Sequence, residues 1–320
     1  MKTFVPIVYL SGLSLLNSSA CDLCSIYSAT QARGEIGAGF SAGFASQYTH
    51  FNTLKDAGER VSNDADQKLD STVSQLFVGY NFYDRVGVQL NIPLIHRFYQ
   101  RAEDTAIERG VVSGIGDIAL VGHYQVIRHE AIDSTFTCTL LSGVKLPTGD
   151  SGRLQEEVDE LSAPPLPPGA TESGIHGHDL ALGSGSVDGI VGAGMFGRWK
   201  RAFATANLQY AIRSKGDFEY RYANDLTWSA GPGMFLVFSE QNSLSVQLLI
   251  SGETKTRDTF QGDVAEDTGI TSVFVGPQIN YTCSDKLSAE FGADFPVSIK
   301  NTALQLVPDY RLRAAMTWHF

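Results

Sequence analysis

Three observations predict an all-β chain, folded as a transmembrane antiparallel β-barrel of about twelve strands and of the bacterial outer-membrane type. Apolar residues recur at every second position in segment after segment. The connections between segments alternate between short and long. The last segment ends on an aromatic carboxy-terminus, Phe320. A strand has a side-chain period of two, so this alternation makes one oily and one polar face. In residues 310–320, Tyr310, Leu312, Ala314, Met316, Trp318 and Phe320 share one face, while Arg311, Arg313, Ala315, Thr317 and His319 share the other. In a barrel the first face meets lipid and the second a wet lumen. A soluble sandwich would explain the alternation, but neither the loop asymmetry nor the aromatic end.

The segments follow in order. Ile36, Ala38, Phe40, Ala42 and Phe44 mark the first. Leu76, Val78, Tyr80 and Phe82 mark the second, and Val86 to Leu94 in alternate positions the third. Ile118, Leu120, Tyr124 and Val126 mark the fourth, and Phe136, Cys138, Leu140, Val144 and Leu146 the fifth. The sixth, around 187–195, is glycine-rich and ambiguous in phase. Ala204 to Ile212 give the seventh, Leu226 to Phe238 the eighth and Leu244 to Ile250 the ninth. Val273 to Tyr281 give the tenth, Leu287 to Val297 the eleventh, and the carboxy-terminal segment the twelfth. Short connections fall at 83–85, 128–133, 198–201, 239–243 and 284–286. Long polar ones fall at 54–70, 101–113, 148–183, 214–222 and 253–268. Periplasmic turns are short and extracellular loops long in such barrels, so an even strand count places both termini in the periplasm.

The first twenty residues read as a secretory signal: Lys2, a mostly apolar run over 4–16, and Ser18-Ser19-Ala20 before a cleavage point. Residues 21–33 form a periplasmic segment with a CxxC, and 34–320 the barrel. Cys21 and Cys24 make a disulfide or redox pair unless Cys21 is lipidated, which would forbid it. Haem attachment needs a histidine where Ser25 stands, and one CxxC supplies only half of the usual zinc ligands. No mature segment reaches the ~20 apolar residues of a membrane helix. A net charge of −11 argues against nucleic acid as a partner. The expected partners are outer-membrane lipids and lipopolysaccharide, the barrel-assembly machinery and a small-molecule permeant. No cofactor is expected.

Charged residues on lumen-facing positions are the candidate site. Asp117 and Lys145 lie opposite the outward sets of strands four and five, and a charge facing mid-bilayer would cost about 2–4 kcal/mol for lysine and less for aspartate. Asp188 is placed inward on the same ground. The three converge at the extracellular rim, either as an ion-pair cluster anchoring the loop 148–183 or as a charged constriction selecting permeants. Glu290 and Asp294 are expected to pair with Arg311 and Arg313 across adjacent strands and narrow the pore. His123, Gln125, Arg213, Asp225 and Gln247 are further inward candidates. His176 and His178 form an HxH with weak metal-binding potential, in a loop read as solvated. A nucleophilic enzyme is disfavoured, because Gly183-Ser184-Gly185-Ser186 is not the Gly-x-Ser-x-Gly elbow.

Three motifs carry a family resemblance: Gly114-Ile115-Gly116-Asp117, Gly143-Val144-Lys145-Leu146-Pro147-Thr148-Gly149 and Gly183-Ser184-Gly185-Ser186-Val187-Asp188. In this order, at strand ends, they resemble the outer-membrane barrel family named for the meta-pathway of phenol degradation. The resemblance runs from about Gly34 to the carboxy-terminus and implies an outer-membrane channel for small aromatic or hydrophobic solutes. The cysteine pair is not part of that pattern. Two alternatives stay open: a closed-lumen binding or adhesion barrel acting through its loops, and a barrel docking a periplasmic redox or metal partner through the CxxC.

Overall fold

The computed structural model describes residues 38–83, 85–103, 106–162, 167–239, 241–284 and 286–320. The signal segment, the 21–33 segment and Cys21 and Cys24 lie outside the described residues. Twelve antiparallel strands close into a barrel. They are Gly39–Asp56, Lys68–Tyr83, Val86–Glu103, Ala119–Glu130, Ser134–Lys145 and Asp188–Trp199, then Ala202–Ile212, Asp225–Phe238, Asn242–Lys255, Ile270–Cys283, Leu287–Asn301 and Gln305–His319. They are called the first to twelfth strands. Each pairs with its sequence neighbour, and the first also pairs with the twelfth, from Ser41 opposite His319 to Lys55 opposite Gln305. The Phe320 amide donates to the Phe40 carbonyl at 2.9 Å, so the carboxy-terminus seals the seam. Closure removes the unpaired edges that an open sheet would present.

The outward face is a continuous apolar belt. Phe40, Val78, Leu120, Leu140, Leu248, Ile279, Phe291 and Trp318 are all exposed. A soluble protein does not expose apolar area on this scale, so the belt is the lipid-facing surface. Strand periodicity fails at bulges. One between Gln125 and Ile127 makes Ile127 the exposed residue where Val126 is expected. In the sixth strand Val191 and Met195 face out and Asp188, Ile190 and Phe196 are buried, which resolves its phase. Cys138 carries the outward phase yet is buried at 7% exposure.

The third strand corrects a loop assignment. It runs to Glu103 and pairs from Leu94 onward with a further strand, Ala106–Ile115. Residues 101–103 and 106–113 are therefore paired strands and not an irregular loop. Alternation there is masked by charged residues such as Arg101, Glu108 and Arg109, which pair with each other and with neighbouring polar groups. The short connections lie at one end of the barrel and the long ones at the other.

Candidate functional site

The extracellular end is filled by its own loops. The connection between strands five and six carries the helices Gln155–Ser162 and Gly177–Leu180 and folds back into the barrel mouth. Ile175 and Leu180 bury against Leu54, Leu69, Tyr99 and Leu306 of the wall. Leu154 and Ala181 bury against Tyr220, Tyr222 and Phe260 of the next two loops. Two apolar clusters therefore hold one plug. Its ends meet backbone to backbone, since Leu182 and Gly183 both donate to the Asp150 carbonyl at 2.9 Å. A Cβ on Gly149 would stand 2.5 Å from the Leu182 oxygen, and one on Gly183 2.5 Å from the Gly149 backbone. Only glycine permits that crossing, which accounts for these two glycines of the sequence motifs.

Beneath the plug, Asp117, Lys145 and Asp188 do converge. Lys145 Nζ contacts Asp117 Oδ2 and lies 2.9 Å from Asp188 Oδ2. The row extends further than expected. Arg213 donates to Asp188 at 2.7 Å and to Asp225 at 2.7 Å, giving an alternating belt of three acids and two bases over strands four to eight. Backbone groups complete it. Asp117 accepts from the amides of Gly149 and Ser184, each at 3.0 Å, and Asp188 from that of Ser214 at 3.0 Å. Asp117, Lys145 and Asp188 are at most 4% exposed. The geometry is that of a clamp on both ends of the plug loop. Ser184 Oγ accepts from Lys145 Nζ and donates to Asp117 Oδ2 at 2.9 Å, which ties the end of the plug loop into the belt.

The His176–His178 pair is not in a solvated loop. His178 Nδ1 lies 2.9 Å from Glu157, and its ring stacks on His176 at 5.7 Å. His176 lies 3.4 Å from Glu160 and 3.4 Å from Asp267 of a different loop. Burial by itself would lower the His176 pKa, but the Glu160 hydrogen bond and the Asp267 charge raise it to about 9. Burial opposes the charge on His178 too, and Asp179 and Glu157 overcome it and hold the ring well above its ordinary value. Among the described residues, no cluster of histidine, cysteine and carboxylate has the spacing of a metal site. The pair is an ionic latch inside the plug.

Below the belt lies a cavity of about 230 Å³. One side carries Leu141, Phe196, Phe203, Asn207 and Gln247, and the other Gln278, Glu290, Asp294, Arg311 and Arg313. Arg313 holds Asp294 through Nε at 2.6 Å and Nη2 at 3.0 Å. Its contact with Glu290 is longer, 3.7 Å. Arg311 departs from expectation. It stands opposite Asp294 in register yet pairs with Glu253 of the ninth strand at 2.6 Å. Its guanidinium lies 4.1 Å from the centroid of the Phe274 ring, which steers it away from Asp294. Sequence reasoning missed Glu253 as a partner because the two strands are neither adjacent nor close in sequence. Glu253 and Arg311 also line a smaller cavity of about 80 Å³ directly under the plug, so their ion pair is the partition between the two spaces. Phe196, Phe203 and Phe235 cluster toward the periplasmic turns. On strands three and four, Asn91 Nδ2, His123 Nε2 and both amide atoms of Gln125 are buried without a protein partner.

No family model matches the sequence, and no curated protein matches it. The chain is similar in structure to the COG4313 outer membrane channel from Pseudomonas putida F1: 15% identity, 91% of this chain and 98% of that one covered, TM-score 0.57. It also matches the translocator domain of the autotransporter NalP from Neisseria meningitidis at 12% identity, with 89% of each chain covered and TM-score 0.41. A monoaromatic hydrocarbon channel, CymD, matches at 8% identity, again with 89% of each chain covered and TM-score 0.39. At these identities the first likeness bears on the fold, that of an outer-membrane barrel, and the other two carry no further weight.

Proposed function

We propose that the chain is an outer-membrane channel for small organic solutes, held closed on its outer side by the plug. One observation carries this reading: beneath the plug the lumen keeps a cavity of about 230 Å³ lined by hydrogen-bonding side chains, as expected of a barrel wider than the about eight strands that side chains alone can fill. The unpartnered polar atoms of Asn91, His123 and Gln125 support it. A buried polar atom without a partner costs about 1–3 kcal/mol, a cost that water entering along strands three and four would relieve. The family resemblance adds aromatic solutes as the expected class. The likeness to the Pseudomonas putida channel is compatible with the same reading.

A closed-lumen binding barrel acting through its loops is the second reading. What favours it is the plug itself, with two apolar clusters of its own. Osmotic swelling of proteoliposomes separates the two. A channel lets solutes of benzyl alcohol size enter and excludes oligosaccharides. Vesicles that exclude both at every protein density would support the binding barrel.

A further inference from the structure

We propose that the lumen cavity is a binding site for a small organic cation with an apolar body, and that the Glu290 carboxylate receives its charged head. The proposal deepens the channel reading by naming the solute class, and it rests on that reading only for the solute's passage.

The charge of the cavity wall points this way. Three acids, Glu253, Glu290 and Asp294, face two arginines, Arg311 and Arg313. Both arginines are committed. Arg311 holds Glu253 at 2.6 Å, and Arg313 grips Asp294 with two nitrogens at 2.6 and 3.0 Å. Glu290 is left with long contacts only, 3.7 Å to Arg313 and 3.4 Å to the Gln278 amide. It is nonetheless buried, at 9% exposure. A buried carboxyl without a close counter-charge either keeps its proton or meets a cation, so a cation supplied at that position stabilises the carboxylate and is held by it. An anion would meet three carboxylates, against two guanidiniums each already paired with one of them.

The opposite side of the same space carries Leu141, Phe196, Phe203 and Leu249. These present apolar and aromatic surface to the far end of whatever is bound. The aromatic faces also tolerate a cation in passage, because a ring's quadrupole attracts positive charge. A ligand with an ammonium at one end and a ring or short alkyl body at the other matches both walls at once. A hydrocarbon would leave Glu290 uncompensated, and a fully polar cation would forfeit the apolar contacts.

Equilibrium dialysis of the full-length protein in detergent tests this with three probes of one shape: benzylammonium, benzyl alcohol and benzoate. Dialysis reads equilibrium binding, so slow entry into a closed barrel does not distort it. The expected result is benzylammonium binding at least about tenfold tighter than the other two, and Glu290→Gln removing that preference. Glu290→Asp, which keeps the charge, should retain much of it; heat-modifiable gel migration verifies that each variant is folded. Equal binding of all three probes, no binding of benzylammonium, or a preference that survives in folded Glu290→Gln would each overturn the proposal. Binding without conductance in planar bilayers would keep the site and reject the channel. Conductance without selective binding would do the reverse.

Discussion

The rim belt and the mid-lumen wall are built from the same residue types and have different fates. At the rim, Asp117, Lys145, Asp188, Arg213 and Asp225 alternate in sign, and backbone amides of the plug fill the remaining acceptor positions. At mid-lumen, Glu290 faces open space and keeps only long contacts. The difference lies in what each row faces. A folded loop brings donors to the rim, so charge there becomes attachment. A cavity brings none, so charge there stays available to a solute. Inward charge in a barrel is thus structural or functional according to its partner, and residue type alone does not decide which.

The strongest way to break the comparison is at the rim. Lys145→Ala leaves Asp117 and Asp188 facing each other in a buried place, and breaking a buried pair costs about 3–5 kcal/mol. The plug should loosen, shown as new protease cleavage near the helix Gln155–Ser162 and a rise in cation-preferring conductance. Wild-type protection in that variant would reduce the belt to a passive row.

A smaller effect is expected at the partition. Glu253→Gln removes the charge that holds Arg311 and joins the two cavities, while the belt and the plug stay in place. Conductance should rise modestly and lose some of its cation bias, since one acid is gone. Unchanged ion preference would show that the partition lies off the permeation route.

The smallest effect is on pH. His176 and His178 have pKa values raised above the ordinary 6.5, with His176 at about 9. A raised histidine pKa contributes stability that is complete below about 6.5 and is lost as pH rises through about 9. The carboxyl of Glu157 is lowered: burial opposes this, but the His178 charge prevails. Its contribution is present above the ordinary carboxylate range and fades in acid. The plug should accordingly be tightest between about pH 4.5 and 6.5 and, after allowance for the intrinsic base-catalysed rate, exchange its backbone hydrogens progressively faster from pH 6.5 to about 9. His176→Gln should flatten the alkaline limb; an unchanged limb would exclude the latch.

Much of the barrel was legible because a lipid-facing strand must alternate and a lumen charge must point inward. The outward set from Leu312 to Phe320 and the inward set Asp117, Lys145 and Arg313 follow from period two, whereas Asp188, on a segment of ambiguous phase, follows from the cost of a lipid-facing charge. The bulge at Gln125–Ile127 was not legible, since one inserted residue reverses the phase without a composition signal. The Glu253–Arg311 pair depends on curvature, which brings the ninth strand toward the twelfth. The histidines read as solvated because the glycines and charges of residues 174–180 outnumber the apolar residues there; Ile175 and Leu180, which bury against the wall, were the one local signal that the loop turns inward.

Taking the plug away separates an occluded channel from a closed binding barrel. Residues 151–181 are replaced by a short glycine-serine linker, the barrel is confirmed by heat-modifiable migration, and single-channel conductance is compared with wild type in planar bilayers. The account predicts small or infrequent openings in wild type and larger, steady, cation-preferring openings in the variant, with the preference weakening as salt screens charge over about 8–10 Å. A folded variant that conducts no more than wild type would contradict it and leave the closed binding barrel as the better description.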